Sequence, residues 1–453
     1  MTVPDHALPL DARAVGAGAE ARKEAAPRRG GPTDPSHDER LRRGIIDTDL
    51  PLGRARWMTA LFIVGIFAIP VSQEVMQRAR GEDSVLPELF RHRPTRESLR
   101  QFEDDLEQAS YFKDYVQPRM QALLTRFGRV GNKKAVVGRE GWLYYKPGIA
   151  YVGGPGFLAA DTIDGRVRAA RDGGGPDVGA DPRPAILSFQ RALAARGIAL
   201  VLFPVPDKSM LEPRQLHGRA SPAEVVPVPR NPDWGRFVEE MTTAGVTVFD
   251  PAPSALGAGE PPHYLVQDTH WTPAWMEEVA GNLAAVVARV GRLPALSSRP
   301  VWREVERPVA RLGDVVDMLK LPEGQTIFAP QSVTTRAIVV GAQAAGGSAD
   351  AADWEPEETA DVLLLGDSFT NVFSLEAMGW GTAAGLAPHL AFALGRPVDV
   401  IAQNDSGAFA TRQALARELG GGQDRLRGKR VVVWELASRE LAVGDWKAVE
   451  WPK

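Results

Sequence analysis

The sequence predicts an α/β protein: a parallel sheet flanked by helices, with a small irregular, strand-containing insertion and an N-terminal transmembrane helix. Three observations carry this prediction. Short runs of Val, Leu and Ile recur at 198–205, 246–250, 361–365, 398–402 and 431–435. Stretches with helical spacing lie between them, the order expected when parallel strands are joined by helices and buried on both faces. One longer uncharged run, Trp57 to Val71, stands alone near the N-terminus and approaches the length of a bilayer span.

The 453 residues suffice for one large folded body and a smaller attached region. Hydrophobic residues make up 44% and charged residues 24%, the balance of a folded soluble body, and the formal net charge of -4 offers no basic surface for nucleic acid. The chain has no cysteine, which excludes thiol catalysis, disulfides and thiolate metal sites together.

Residues 1–53 mix Ala, Gly, Pro, Arg and acidic side chains without periodicity, and are expected to form a disordered cytoplasmic tail. Residues 54–73 are expected to be a transmembrane signal anchor. Arg40, Arg42, Arg43, Arg54 and Arg56 precede the apolar run, while Glu74, Glu82 and Asp83 follow it. By the positive-inside rule the N-terminus is then cytoplasmic and the folded body extracytoplasmic, on a single membrane pass. A buried core helix or a cleaved signal peptide are the competing readings of such a run. From 74 to 130 a juxtamembrane helical stalk is expected, with Thr95 placed to cap Glu97 and Leu99, Phe102 and Leu106 recurring at three and four.

Residues 131–453 are expected to form one domain. Arg139 to Tyr145 reads as a turn entering a strand, and the Gly-rich 172–179 punctuates the chain. A helix at 185–196 leads into the strand at 198–205, and another spans about 275–290. The stretch from about 293 to 353 is less regular and rich in Pro and Val; it is expected to be an insertion or lid. In parallel sheets of this kind, reactive groups gather just past the carboxyl ends of the strands.

Leu363 to Phe369, reading Leu-Leu-Leu-Gly-Asp-Ser-Phe, puts Ser368 immediately after such a strand. A tight turn there, with Gly366 easing it, presents the hydroxyl and leaves main-chain N–H groups near a developing oxyanion. Helix N-capping is the bland alternative for Ser368. A serine hydroxyl is a poor nucleophile alone, so acyl chemistry requires a histidine and preferably a carboxylate to orient it. His217, His263, His270 and His389 are plausible partners. His270 stands out because Asp268 lies two residues before it, and residues two apart in an extended segment point the same way. Trp271 is expected to wall the imidazole and lower the local dielectric.

Gly366-Asp-Ser-Phe369 and Asp268-Thr-His-Trp271 together resemble the paired motifs of the AlgX/AlgJ group of alginate O-acetyltransferases, whose catalytic domain is SGNH-hydrolase-like. Ordinary SGNH hydrolases carry the serine block first; here the Asp-His element precedes it, as in that group. Gly138 to Tyr145, Val205-Pro-Asp-Lys-Ser209 and Val431-Val-Val-Trp-Glu435 are similar too, so the resemblance spans about 84–453. It implies Ser368 as nucleophile, His270 as base and Asp268 as orienter, with no metal or organic cofactor. It also implies an exopolysaccharide acceptor, alginate- or cellulose-like, and a membrane-bound O-acyltransferase that supplies acetyl groups.

Accessory candidates follow. Asn404 could polarise an acyl carbonyl or belong to a plain turn. Lys208 could contact substrate or pair with an acid, and Arg439 could bind an anion or form a structural salt bridge. Trp142, Tyr144 and Tyr145 could stack on sugar rings or fill the core. Two other functions share these residues: a carbohydrate acetylesterase in which water is the acceptor, and a noncatalytic polysaccharide-binding or assembly protein of an export complex.

Overall fold

The computed structural model describes residues 51–81, 95–108, 110, 112–217, 228–255, 262–341, 351–404 and 407–451. The expected tail lies outside these residues but for its last three. The chain divides into two compact units, Met1–Arg91 and His92–Lys453.

The first unit contains one described helix, Leu52–Arg80, which overruns the expected 54–73 at both ends. Gly81 ends it in the left-handed conformation (φ 71°), its N–H turned back onto the carbonyls of Arg78 and Gln77. Trp57, Leu61, Phe62 and Phe67 are exposed along it. Among the described residues it is the one helix long and apolar enough to cross a membrane.

In the second unit, the described part of the expected helical stalk comprises Arg96–Gln108, a π-turn at Phe112–Val116, and Gln117–Gly128. Pro118 sits in the first turn of the last piece, where its missing N–H costs nothing. Thr95 caps the first piece with Ser98 as its partner; the Glu97 side chain lies outside the described residues. Ser98 N–H donates to the Thr95 hydroxyl at 3.1 Å and Thr95 N–H to the Ser98 hydroxyl at 2.8 Å. The reciprocal pair needs the residue three positions on.

Strands β1 (Ala135–Val137) and β2 (Leu143–Tyr145) pair antiparallel across the turn at Arg139 to Gly141. The main sheet comprises β3 (Ala199–Val205), β4 (Thr247–Val248), β7 (Val362–Gly366), β8 (Asp399–Ala402) and β9 (Val431–Ala437), in the order β4-β3-β9-β7-β8, every pair parallel. Successive residues point to opposite faces and both faces are covered. Val201, Phe203, Leu364 and Val433 pack on the side of helices Pro273–Gly291 and Leu386–Leu394, while Leu200, Leu202, Leu365 and Trp434 pack on the side of Pro182–Ala194 and Trp234–Thr243.

The insertion is an antiparallel ribbon of two ten-residue strands, β5 (Trp302–Arg311) and β6 (Gln331–Val340), with a short helix, Asp314–Met318, in the connection between them. Ala337 and Ile338 of β6 are buried in the main core. Val315, Val316 and Leu319 form a separate small core with Ala135 and Leu143 of the β1–β2 hairpin and with Phe328. This packing fixes the connecting helix beside the carboxyl ends of the main strands.

Candidate active site

A cavity of about 520 Å³ lies past the carboxyl ends of β7, β8 and β9, lined among others by Tyr145, His270, Asp314, Ser368, Asn404 and Arg439. Ser368 is the first residue of the helix Ser368–Asn371, and Asp367 caps that helix, its carboxylate accepting from Phe369 N–H at 2.8 Å. The serine hydroxyl is therefore not spent on capping. It meets His270 Nε2 at 2.9 Å. On the far side of the ring, His270 Nδ1 lies 2.5 Å from Asp268 Oδ1.

Asp268 and His270 meet, but not through an extended segment. Residues 268–270 bend in the loop ahead of helix Pro273–Gly291, held by a single bridge between Tyr264 and Trp271. His270 N–H also donates to Asp268 Oδ1, at 3.1 Å. The second carboxylate oxygen takes two further donors, the Asp314 N–H and the Trp380 indole N–H, each at 3.0 Å. Asp314 in turn accepts from Thr269, whose N–H lies at 2.7 Å and whose hydroxyl at 2.6 Å.

These contacts set the charges. Burial works against ionising Asp268, but the positive side of His270 and the N–H donors of Asp314 and Trp380 outweigh it and hold the carboxyl well below its usual range. Burial likewise works against the imidazolium, yet Asp268 outweighs it and keeps His270 above its ordinary value. Asp314 moves the other way: burial and then the charge of Asp268 push it up to about 6. A base raised by a fixed carboxylate and bonded to a serine hydroxyl is the arrangement that activates serine for acyl transfer. Asp268, His270 and Asp314 also bring ligand atoms within 4.8 Å of one another. The Asp268 oxygens, however, are already committed to N–H donors, which suits a proton relay better than a cation.

Beneath the serine, Glu435 accepts from Asp367 N–H at 2.9 Å and from the Thr370 hydroxyl at 2.7 Å, and the Asp367 carboxylate accepts from Ala437 N–H at 2.8 Å. Burial, then the charge of Asp367, push Glu435 well above the ordinary carboxyl value. The two acids tie the serine turn to β9.

The accessory candidates divide. Asn404 and Arg439 line the cavity. Asn371 donates to the Asn404 carbonyl oxygen at 2.7 Å, which turns the amide N–H groups of Asn404 to other partners. Arg439 lies 3.7 Å from Asp207, with its guanidinium 5.1 Å from the Tyr145 ring and 5.8 Å from the Phe369 ring. Gly366 is absent from the cavity wall; it is required for packing, since a Cβ there would strike the Thr370 side chain. Trp271 is fully buried, and the ring against His270 is Phe369, with centroids 4.8 Å apart; Trp271 backs Phe369 at 5.3 Å. Lys208 does not reach the cavity. Its ammonium donates to the carbonyls of Leu143, Leu265, Val266 and Asp268 at 2.6–2.9 Å. Burial pushes it down to about 7. Trp142 and Tyr144 are core residues beneath it, and Tyr145 alone of the three aromatics lines the cavity. Of the other histidines, His263 engages Glu212 and His389 the Arg336 carbonyl.

The residues missed from sequence are Asp314, Trp380 and Glu435 as supports of the triad. Trp380 carried one local signal, since it stands between Gly379 and Gly381, both at positive φ (74° and 118°), where the chain must turn to aim a large ring inward.

Residues 135–438 match the family described as the SGNH hydrolase-like domain of acetyltransferase AlgX. No curated protein sequence matches the chain. Among solved structures, the chain is similar to the O-acetyltransferase domain of Pseudomonas putida AlgJ, with 21% identity over 69% of this chain and 93% of that one and a TM-score of 0.46. It is similar to Pseudomonas aeruginosa AlgX at 16% identity, covering 68% of this chain and 65% of that one, TM-score 0.44. Bacillus cereus PatB1 is similar at 11% identity over 70% of this chain and 99% of that one, TM-score 0.37. The family match covers more than half of the 453 residues, both motifs included, and the chain belongs to the SGNH hydrolase-like domain family of acetyltransferase AlgX.

Proposed function

We propose that this protein transfers acetyl groups to hydroxyls of an extracytoplasmic exopolysaccharide, alginate- or cellulose-like, through a Ser368–His270–Asp268 triad. The observation that carries the reading is the unbroken pair of hydrogen bonds from Ser368 Oγ to His270 Nε2 and from His270 Nδ1 to Asp268, opening on one cavity. Ser368 Oγ attacks the acetyl carbonyl of a donor while His270 Nε2 takes its proton. The tetrahedral intermediate then collapses, the donor's leaving group departs with that proton, and acetyl-serine remains. A sugar hydroxyl next attacks the acetyl-serine, His270 takes the hydroxyl proton, and Ser368 leaves carrying it. Asn404 is the side-chain donor for the oxyanion, and Tyr145 and Arg439 bound the acceptor.

In this reading 1–53 is a cytoplasmic tail, 54–73 a single inner-membrane span, 74–130 a stalk, and 131–453 the periplasmic or otherwise extracytoplasmic domain. A membrane-bound O-acyltransferase delivers acetyl groups across the bilayer. The test is the acetyl content of the polymer in cells carrying Ser368→Ala, expected to fall to background; unchanged acetylation would sink the proposal. Incubating the protein with an acetyl ester, with and without oligosaccharide, separates transferase from esterase. Acetyl found on sugar supports transfer, and free acetate alone makes the protein an esterase.

A further inference from the structure

Helix Gln117–Gly128 turns the wrong side outward for a soluble domain. Met120, Leu123, Leu124 and Phe127 fall within one arc of the helix at spacings of three and four, and are 51%, 54%, 40% and 78% exposed; Val130, just beyond, is 45% exposed. The polar side is the sheltered one. Thr125 is buried, and both Thr125 and Gln121 hydrogen-bond to the Val130 carbonyl, each at 3.0 Å, as the chain doubles back under the helix.

Charge completes the pattern. From 117 to 134 the chain carries Arg119, Arg126, Arg129, Lys133 and Lys134 and no acidic residue, within a protein whose formal net charge is -4. All five are exposed. An exposed apolar arc flanked by long basic side chains is the composition of a helix that lies in the plane of a membrane, its apolar face among the acyl chains and its cations at the headgroups.

We infer that residues 117–134 form an interfacial segment that rests on an anionic phospholipid surface. The inference rests on the reading of 54–73 as the membrane span. The apolar helix ends at Arg80 and this helix begins at Gln117, so 36 residues tether it to that same bilayer. A second copy of the chain is the poorer occupant, because it would bring a face bearing the same five cations. The function served is to hold the acyl-transfer domain at the bilayer surface, where an acetyl group delivered through the membrane emerges.

The chain has no cysteine, so single positions can be labelled cleanly. Full-length Phe127→Cys, Leu123→Cys and, as a control at an exposed position of helix Pro182–Ala194, Arg191→Cys are labelled with an environment-sensitive fluorophore. Each is reconstituted into phosphatidylcholine vesicles with and without phosphatidylglycerol. The expected result is a blue shift and loss of iodide quenching at 123 and 127 with phosphatidylglycerol, strong quenching there by brominated lipid, and no change at 191. Converting Arg126, Arg129, Lys133 and Lys134 to Glu restores iodide access; Leu124→Ser, a milder change, reduces the shift in the same direction. Probes at 123 and 127 that stay open to iodide while the protein resists carbonate extraction overturn this inference and leave the span intact. Extraction by carbonate overturns the span. Equal shielding in pure phosphatidylcholine overturns the anionic assignment, and a disulfide-linked dimer through position 127 assigns the face to a second copy instead.

Discussion

The indole N–H of Trp380 donates to Asp268 Oδ2 at 3.0 Å across 112 residues of sequence. That bond and the one from Asp314 N–H occupy the carboxylate oxygen that His270 does not use, so Asp268 has one remaining direction in which to act, toward the imidazole. Trp380→Phe keeps the ring and removes the donor. The expected result is a loss of about 1.5–3 kcal/mol in denaturant unfolding, as for a buried hydrogen bond to a charge. We also expect a roughly 10- to 100-fold fall in kcat from misplacement of the base, with KM little changed because Trp380 does not line the cavity. A loss of activity confined to a rise in KM would remove Trp380 from this role.

Asp314→Asn tests the electrostatics of the site. The Asp314 carboxylate lies 3.9 Å from His270 Nδ1 and helps to raise the imidazole. The proposed mechanism requires neutral His270, so activity should rise with pH through the His270 titration, and removing this charge should move that limb to lower pH. Stability moves in a definite window as well. The folded carboxyl is raised from 3.8 to about 6, so the folded chain holds this proton more tightly than the unfolded chain. Its contribution is complete below the unfolded value and is lost as pH rises through about 6. Asn mimics the protonated form, so the variant should match the parent at pH 4 and exceed it above pH 7, by on the order of 1 kcal/mol because the side chain is 31% exposed. Paired thermal melts at the two pH values check this, and an identical pH–rate profile contradicts it.

Lys208→Met retains the apolar stem and removes the donors that hold four carbonyls. The Val266 carbonyl keeps the Leu143 N–H, but the buried cluster loses its ammonium, so unfolding should become easier by about 3 kcal/mol. Activity should fall too, because three of the four carbonyls belong to the 265–268 loop that carries Asp268. Arginine should not rescue, since its larger planar head does not fit a pocket closed by Trp142 and Tyr144. Full rescue by Lys208→Arg would show that charge alone suffices.

Gly366→Ala should destabilise by about 2 kcal/mol or more through overpacking, because the new methyl group meets Thr370, whose hydroxyl is bonded to Glu435. The pair Gly366→Ala and Thr370→Ala should recover part of the overpacking loss. Chemical denaturation of the single and double variants measures the coupling.

The residues that meet at Ser368 were legible as candidates because their signals are local. Ser368 follows a run of buried strand residues, and Asp268 is two residues from His270, so a few positions of sequence hold the information. The strands at 198–205, 361–365 and 431–435 were legible for the same reason, since continuous Val, Leu and Ile leave few states other than a strand buried on both faces. Lys208 misled because a lysine after a strand end looks alike in sequence whether it faces solvent or four carbonyls.

Local patterns of a few residues were enough for the α/β class, the apolar helix near the N-terminus and the residue types of the proposed triad. Tertiary structure alone decided what surrounds them. The separations of 98 positions from His270 to Ser368 and of 112 from Asp268 to Trp380 are closed by packing of the insertion helix on the β1–β2 hairpin and of the 265–268 loop on Lys208. Such contacts join surfaces that form only once the core is assembled, and no spacing along the chain encodes which distant donor will find the second oxygen of Asp268.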